Sequence, residues 1–280
     1  MTVRDQRLLG RIASALERLA PAPPGVLALG RAEAFVWHAA TRGLSPVETV
    51  NRVDLALLKG IDRQRDTLLA NTRRFAQGLP ANNALLWGAR GMGKSALLRA
   101  SVAAAQAEQP ANSVSSIALI QAVPEAGLAR LFAMLGREPR NFLVFLDDLG
   151  FEAGDATGAR RLRSWLEGGV EARPANVRLA VTSNRRAIVE RHASEQDDPI
   201  NPRDAVDDKL ALADRFGLSL GFHNCSQDDY LAIIAGYASA HALDYIEAEA
   251  LEWSKRRGAR SGRVAWQFVN ELAGRAGKAL

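Results

Sequence analysis

The sequence of 280 residues contains one cysteine, Cys225, and four histidines. A single thiol excludes an internal disulfide and a cysteine-based zinc site, and so few histidines disfavour a histidine-rich metal centre. No apolar run reaches the roughly 18–20 residues that a membrane-spanning helix requires. The first residues also lack the uninterrupted apolar stretch of a secretory signal. We therefore expect a cytoplasmic protein without membrane contact.

Acidic residues are outnumbered by basic ones, so that the formal net charge is +5, and arginine far outnumbers lysine. Such a balance is typical of proteins that bind nucleic acid. A genome rich in G and C, which favours arginine codons, is the alternative explanation, because the basic residues are spread along the chain. We favour the second explanation and keep nucleic acid as the less favoured partner.

Residues 88–95 read GARGMGKS and match G-x-x-x-x-G-K-[ST], the phosphate-binding P-loop. Glycines let backbone N–H groups surround phosphate oxygens, and the N-terminus of the following helix favours negative charge. We predict that Lys94 contacts the β- and γ-phosphates and that Ser95 ligates Mg²⁺. The alternative is a glycine-rich turn that binds no nucleotide. The predicted nucleotide contacts are Gly88, Ala89, Arg90, Gly91, Met92, Gly93, Lys94, Ser95 and Ala96.

Strand and helix signals alternate from residue 84 onward. Apolar runs predict five strands, at residues 84–87, 115–120, 142–147, 177–183 and 218–222. Helical patterns lie between them, for example at residues 156–167. This alternation predicts an α/β fold in which a mainly parallel sheet is covered on both faces. Ligands of such sheets bind at the carboxyl ends of the strands.

The two ends of the chain have helical patterns only. Residues 1–45 read as helical with a proline-rich break, and Phe35 and Trp37 within them as packing residues. After residue 222, a capping-box sequence at 226–229 opens the first of three predicted helices. We predict a helical N-terminal extension (1–50), an α/β core (51–222) and a small C-terminal helical domain (223–280).

Two predicted strands end in polar side chains. The apolar run NFLVFL is followed by Asp147 and Asp148, and the run VRLAV by Thr-Ser-Asn, with Asn184 last. Beside a P-loop, Asp147 is expected to hold Mg²⁺ and Asp148 to orient or deprotonate the attacking water. Asn184 is expected to reach the γ-phosphate or that water. The alternatives are an aspartate pair that caps a turn and an ordinary turn asparagine.

Taken together, the P-loop, the strand that ends in Asp-Asp, the TSN triplet, DRFG at 214–217 and the Gly262-Arg263 pair resemble an AAA+ ATPase. The Asp-Asp pair resembles the replication-initiator and helicase-loader branch. Longer strings resemble the bacterial domain-of-unknown-function 815 family over roughly residues 45–275. Those strings are LPANNALLWG (79–88), TSNRR (182–186), DRFGL (214–218) and GARSGRVAWQF (258–268).

The resemblance implies a five-stranded P-loop NTPase core of AAA+ type, a C-terminal helical lid, and ATP and Mg²⁺ as cofactors. Arg215 matches the arginine finger that enters a neighbouring subunit's site, which implies a homo-oligomer; a local ion pair with Asp214 is the alternative. Arg263 matches the sensor 2 arginine of the lid, although Arg260 competes for that role. Ile61 matches the segment that lines the adenine pocket.

The sequence departs from this family pattern in three places. Asp148 is one methylene shorter than the usual glutamate, so that hydrolysis is expected to be slower or to need a partner. No aromatic-hydrophobic-glycine motif follows the second core strand, which disfavours protein threading. Residues 192–203, rich in aspartate and proline, have no P-loop role and read as a flexible insertion.

These features lead to three hypotheses of different classes. The leading one is a Mg²⁺-dependent ATPase that self-assembles and remodels or loads an unidentified macromolecule. The alternative is a nucleotide-gated binding module with little turnover, which Asp148 favours. A small-molecule P-loop kinase is the third, and the Asp-Asp pair, the TSN triplet and the helical C-terminal domain disfavour it.

Overall fold

The computed structural model describes residues 29, 32–109, 116–123, 127–149, 166, 174–184 and 215–280. The chain divides into two compact units, Met1–Arg31 and Ala32–Leu280. All the elements named below belong to the second unit. None of the helices described is long and apolar enough to cross a membrane.

The second unit is built from strands and helices that alternate through its middle and give way to helices at its end. The strands are β1 (Ala34–His38), β2 (Gly43–Pro46), β3 (Ala84–Gly88), β4 (Ile117–Ala122), β5 (Asn141–Leu146), β6 (Val177–Ser183) and β7 (Leu218–Phe222). The α-helices are α1 (Asp62–Ala76), α2 (Lys94–Ala107), α3 (Leu128–Leu135), α4 (Gln227–Ala240), α5 (Glu247–Arg256) and α6 (Gly262–Arg275). A short 3-10 helix, Leu55–Leu57, precedes α1.

The strands form one sheet in the order β2-β1-β4-β5-β6-β3-β7. Every neighbouring pair is parallel except β1 and β2. The five predicted strands, β3 to β7, therefore form the expected parallel core. Strand β3 lies between β6 and β7, with Trp87 opposite Ser183 and Gly88 opposite Phe222. This register brings the carboxyl ends of the three strands to one edge of the sheet, where α/β proteins bind ligands.

The helical prediction for residues 1–45 is wrong in its last part, because β1 and β2 are strands that extend the five-stranded core to seven. A five-residue apolar run has no periodicity that separates a strand from a helix. Its aromatic and branched residues, AFVWH, suit a pleated surface. Phe35 and Trp37 are buried, in agreement with the prediction that they are packing residues. The rest of that prediction, residues 1–28, and most of the predicted helix 156–167 lie outside the described residues.

The core strands are buried on both faces, as expected for a parallel sheet that helices cover. In β5 every residue after Asn141 is buried. Helix α1 packs against α2, and α4 against both α6 and the 3-10 helix. The C-terminal helices share one hydrophobic cluster with the sheet, in which Tyr230 of α4, Phe268 of α6 and Phe222 of β7 are buried. The C-terminal helices are thus packed against the sheet.

Helix α4 begins with the predicted capping box. The Ser226 hydroxyl accepts a hydrogen bond from the Asp229 N–H at 3.0 Å, and the Asp229 carboxylate accepts one from the Ser226 N–H at 3.3 Å. Two backbone donors at the start of the helix are thereby satisfied. The cap fixes the point at which the chain leaves β7 and enters the lid.

Replacing Ser226 by alanine should lower the free energy of unfolding by about 1 kcal/mol, the usual cost of losing a helix cap. Ser239, exposed near the end of the same helix, provides the matched control, because Ser239→Ala removes a hydroxyl without removing a cap. Urea unfolding followed by circular dichroism measures both variants. Equal stabilities of the two variants would contradict a role of the cap in lid stability.

Candidate nucleotide-binding site

The P-loop sequence connects β3 to α2 through a backbone that only glycine allows. Gly88 has a φ of +121°, and a Cβ built there would lie 2.1 Å from the carbonyl oxygen of Phe222. Gly93 has a φ of +84° and forms the N-cap of α2 without a capping side chain. The first amides of α2 are therefore left to an external acceptor, as expected at a phosphate site.

Lys94 is the first residue of α2, and only 5% of its surface is exposed. Its ammonium group donates to the carbonyl oxygens of Gly88, at 2.9 Å, and Ala89, at 2.7 Å. Burial lowers the pKa of Lys94, while the nearby carboxylates of Asp148 and Asp147 act in the opposite direction. The side chain thus folds back over the loop and carries its charge into the cleft.

Asp147, which follows β5, joins two other elements through one oxygen atom. Its Oδ1 accepts hydrogen bonds from the hydroxyl of Ser95 in α2 and from the hydroxyl of Thr182 in β6, both at 2.6 Å. The Thr182 hydroxyl in turn accepts a hydrogen bond from the backbone N–H of Asp148 at 2.8 Å. Since the threonine oxygen accepts from this amide, its proton is free to be directed at Asp147.

Asp148 has a φ of +51°, in the left-handed region that residues other than glycine rarely adopt. The side-chain amide of Asn184, at the end of β6, donates a hydrogen bond to its carboxylate. Unusual backbone conformations of this kind cluster at functional sites. The two residues that the sequence assigned to water activation are therefore in direct contact.

A cavity of about 820 Å³ opens in front of these groups, within the size range of small-molecule sites. The phosphate-binding sequence and the two aspartates line one part of it, and apolar side chains line another. From the N-terminal side it is lined by Asn51, Arg52, Val53, Asp54, Leu57, Leu58, Lys59 and Ile61. From α2 and the lid it is lined by Ala96, Arg99, Ile233, Tyr237, His241, Gly262, Arg263 and Trp266.

The residues present fit Mg²⁺, because the Ser95 hydroxyl and the Asp147 carboxylate are adjacent oxygen ligands of the type that this ion prefers. No group of three or more His, Cys, Asp or Glu residues comes together in the part of the chain that the structure describes. A magnesium ion that shares phosphate oxygens needs only one or two carboxylates. The donor set is therefore sufficient for a metal–nucleotide complex.

Most of the predicted site residues line this cavity, but three residues of the P-loop do not. The residues that line it are Ile61, Gly91, Met92, Gly93, Lys94, Ser95, Ala96, Asp147, Asp148, Asn184 and Arg263. Gly88 and Ala89 line a separate cavity of about 450 Å³, which Asn184 also borders. Arg90 is exposed and is not among the residues of either lining.

The geometry distinguishes the two candidate lid arginines. The backbone N–H of Arg263 donates to the carbonyl of Gly91 at 3.3 Å, and the residue lines the cavity. Arg260 instead donates to Gln227 at 3.4 Å and borders a third cavity between lid elements. Arg263 is thus the arginine that can reach a phosphate bound at the loop.

Arg215 lies at the opposite edge of the sheet. It precedes β7, whose first residue, Leu218, pairs with Ala84, whereas the last, Phe222, pairs with Gly88. The four-residue step along β7 spans about 13 Å at the usual rise. Arg215 is therefore separated from the P-loop of its own chain by the length of that strand. Asp214, its predicted alternative partner, lies outside the described residues.

Several cavity residues were missed by sequence reasoning. Thr182 is within the TSN triplet, but nothing in the sequence indicates that its hydroxyl connects both aspartates. Tyr237 and Trp266 were assigned only to lid helices. The sequence pattern predicts that these residues lie on helices of the lid. It does not show which face of each helix borders the cavity, because that depends on how the lid packs.

A family model described as a protein of unknown function, DUF815, matches residues 30–276. A search of curated proteins finds no match to the chain. Among solved structures, the Aeropyrum pernix Orc1 protein in complex with DNA is similar, with 17% identity and a TM-score of 0.53; 80% of this chain and 65% of that chain are covered. A variant of Thermotoga maritima RuvB has 18% identity and a TM-score of 0.51, with 80% and 66% covered.

At such low sequence identity, the structural similarity shows the fold alone, which is that of AAA+ P-loop ATPases. The chain spans less than two thirds of the length of either neighbour. The parallel core and the site at its carboxyl edge thus agree with a nucleotide-binding fold that was expected from the sequence.

Thr182→Val should destabilise the protein by about 1 kcal/mol, because the half-buried N–H of Asp148 loses its acceptor while the shape of the side chain is kept. Thr182→Ser is the matched control, since it keeps the hydroxyl and removes only a methyl group. Chemical unfolding compares the two. A serine variant less stable than the valine variant would mean that packing, and not the hydroxyl, determines the role of Thr182.

Proposed function

This chain belongs to the DUF815 family of proteins of unknown function, and with its AAA+ fold as a premise we propose that it binds Mg²⁺-ATP and hydrolyses the terminal phosphoanhydride bond. The observation that carries the proposal is the meeting of Lys94, Ser95 and Asp147 at one end of a cavity of about 820 Å³. Cation, hydroxyl and carboxylate are the three side chains that this chemistry requires.

The phosphates are held by the backbone amides at the start of α2 and by Lys94. The ammonium group, which contacts the carbonyls of Gly88 and Ala89, exchanges these for phosphate oxygens. Ser95 and Asp147 hold Mg²⁺, which when bound neutralises charge on the β- and γ-phosphates. Arg263 contacts the phosphates from the lid, and Ile61 gives the base an apolar contact.

Water activation is assigned to Asp148, with Asn184 as its partner. The Asn184 amide keeps the Asp148 carboxylate at the edge of the cavity, where it accepts a proton from the attacking water. The water oxygen forms the new bond to the γ-phosphorus, and the bond to the β-γ bridging oxygen breaks. ADP and inorganic phosphate are the products.

Self-assembly is supported by the position of Arg215. A strand length separates it from the P-loop of its own chain, so that any phosphate it contacts is bound by another copy. An arginine supplied in trans stabilises the charge of the transition state. The assembled protein is proposed to remodel or load a macromolecule. Nucleic acid is the less favoured candidate, although one structural neighbour is an Orc1 protein in complex with DNA.

A nucleotide-gated binding module is the second candidate, and Asp148 is the observation in its favour. Its carboxylate is shorter than glutamate and is tied to Asn184. A carboxylate that stays in this contact leaves water unactivated, so that bound ATP would change the conformation of the lid without being consumed.

Two variants separate binding from hydrolysis. Lys94→Ala should lose ATP binding, because it removes the buried cation of the P-loop. Asp148→Asn should keep Mg²⁺-ATP bound and slow single-turnover hydrolysis by about 10²–10⁴-fold, because the amide has the same shape but accepts no proton. Equilibrium titration and phosphate release in one turnover measure the two effects.

Asp147→Asn is the matched control, and it should chiefly weaken the dependence of binding on Mg²⁺. Affinity of Lys94→Ala within about threefold of the wild type, less than ~1 kcal/mol, would contradict the phosphate site. Equal and mild effects of the two asparagine variants would contradict the division of labour. Tight binding by the wild-type protein without phosphate release would favour the binding module.

Arg215→Ala should leave ATP binding by one subunit nearly intact and lower turnover by about 10³-fold or more, the usual worth of an arginine finger. Mixing it with Asp148→Asn should restore part of the activity, since some interfaces then join an intact Asp148 site to an intact Arg215. Arg215→Lys tests geometry, because lysine keeps the charge without the planar fork. No recovery at any ratio, with a monomer in ATP by light scattering, would refute catalysis in trans.

A further inference from the structure

The cavity extends well beyond the groups that bind phosphate. On the side of the lid its lining includes Trp266 of α6. This side chain is 36% exposed, although indole is among the largest apolar surfaces that a protein can bury. An exposed aromatic surface that faces a ligand cavity is an anchor for a flat ligand.

Two other aromatic rings hold Trp266 in place. The ring of Tyr237, which is buried, lies 4.8 Å from the indole between centroids, at a tilt of 55°. The imidazole of His241 lies 6.4 Å away. Ring distances of this size are favourable aromatic contacts. The indole is therefore supported from the lid side, and its remaining surface borders the cavity.

The spacing along α6 fixes where Trp266 lies relative to the phosphates. Arg263 and Trp266 are three residues apart, on the same face of the helix and about 4.5 Å apart along its axis. Arg263 contacts Gly91 of the P-loop through its backbone. Trp266 thus comes about one helical turn after the residue that contacts the P-loop, and both residues line the same cavity.

A second part of the cavity lining is apolar and close to the P-loop. Ile61 and Leu58 lie 3.6 and 3.7 Å from a Cβ built at Gly93. Leu57 packs near Gly236 of α4, at 3.7 Å from a Cβ built there, one residue before Tyr237. These apolar side chains and the indole of Trp266 belong to the lining of the same cavity.

We infer that Trp266, supported by Tyr237, is a stacking surface for the base of the nucleotide and makes the site select purine over pyrimidine nucleotides by ring area. The inference rests on the proposed function, since it requires the triphosphate to bind at the P-loop. Stacking uses the π-face that every base has. Selection by stacking alone therefore grows with ring area, and a two-ring base gains more than a one-ring base.

The test compares Trp266→Leu, which keeps apolar volume without a π-face, with Trp266→Phe, which keeps an aromatic face. The ligands are Mg²⁺ complexes of ATP, CTP and inorganic tripolyphosphate, titrated by calorimetry. Trp266→Leu should weaken the binding of ATP roughly tenfold and leave the affinity for tripolyphosphate unchanged. Trp266→Phe should keep most of the ATP affinity. The preference of the wild type for ATP over CTP should shrink in the leucine variant.

Tryptophan fluorescence gives an independent readout. ATP should quench the wild-type emission, and this change should be lost in Trp266→Phe. Trp253→Phe is the matched control, because Trp253 packs on Phe268 in the lid and is not among the residues of the nucleotide cavity lining. It should keep the ATP-dependent change.

Each other outcome overturns either the stacking role of Trp266 or the proposed function. Unchanged ATP affinity in Trp266→Leu would overturn the stacking role and leave the proposed function intact. Equal losses for ATP and tripolyphosphate would assign Trp266 to lid packing and also overturn it. Failure of the wild type to bind either ligand would overturn the proposed function itself. Binding of tripolyphosphate as tight as that of ATP would retain the phosphate site and overturn the base contact.

Discussion

The site depends on one shared acceptor, the Oδ1 atom of Asp147. Because β6 lies between β3 and β5 in the sheet, the P-loop and the strand that ends in Asp147 are not neighbours. The hydroxyls of Ser95 and Thr182 both donate to this oxygen, and they join the ends of three strands across that gap. Without this connection the parallel order of the strands would bring the functional loops to one edge but would leave their side chains unaligned.

The lid is attached to the same edge through backbone contacts rather than through a flexible hinge alone. Gly91 has a φ of +73°, and a Cβ built there would lie 2.9 Å from the Ser261 hydroxyl. The Arg263 N–H donates to the Gly91 carbonyl. The P-loop sequence and the start of α6, the helix that carries Trp266, therefore touch directly.

Local patterns predicted the parts of the molecule that local chemistry determines. The P-loop, the aspartate pair and the five core strands follow from residue types within a few positions of each other, and the structure has them at the expected places. The strands β1 and β2 were not predicted, because their apolar run is too short to show a period. The roles of Thr182 and Trp266 depend on strand order and lid orientation, which arise from packing between residues far apart in the chain.

The backbone of Asp148, the proposed base, is in the left-handed conformation, and this bears on both the proposed hydrolysis and the proposed assembly. A left-handed backbone conformation costs a residue other than glycine about 1–2 kcal/mol. The hydrogen bond from the Asp148 N–H to the Thr182 hydroxyl helps to hold this conformation. The short carboxylate is thereby directed at Asn184 rather than extended as a longer glutamate would be. Under the proposed function, a base constrained in this way gains from the charge of an arginine supplied in trans. The position of Arg215, a strand length away from the P-loop of its own chain, fits the proposed hydrolysis in trans.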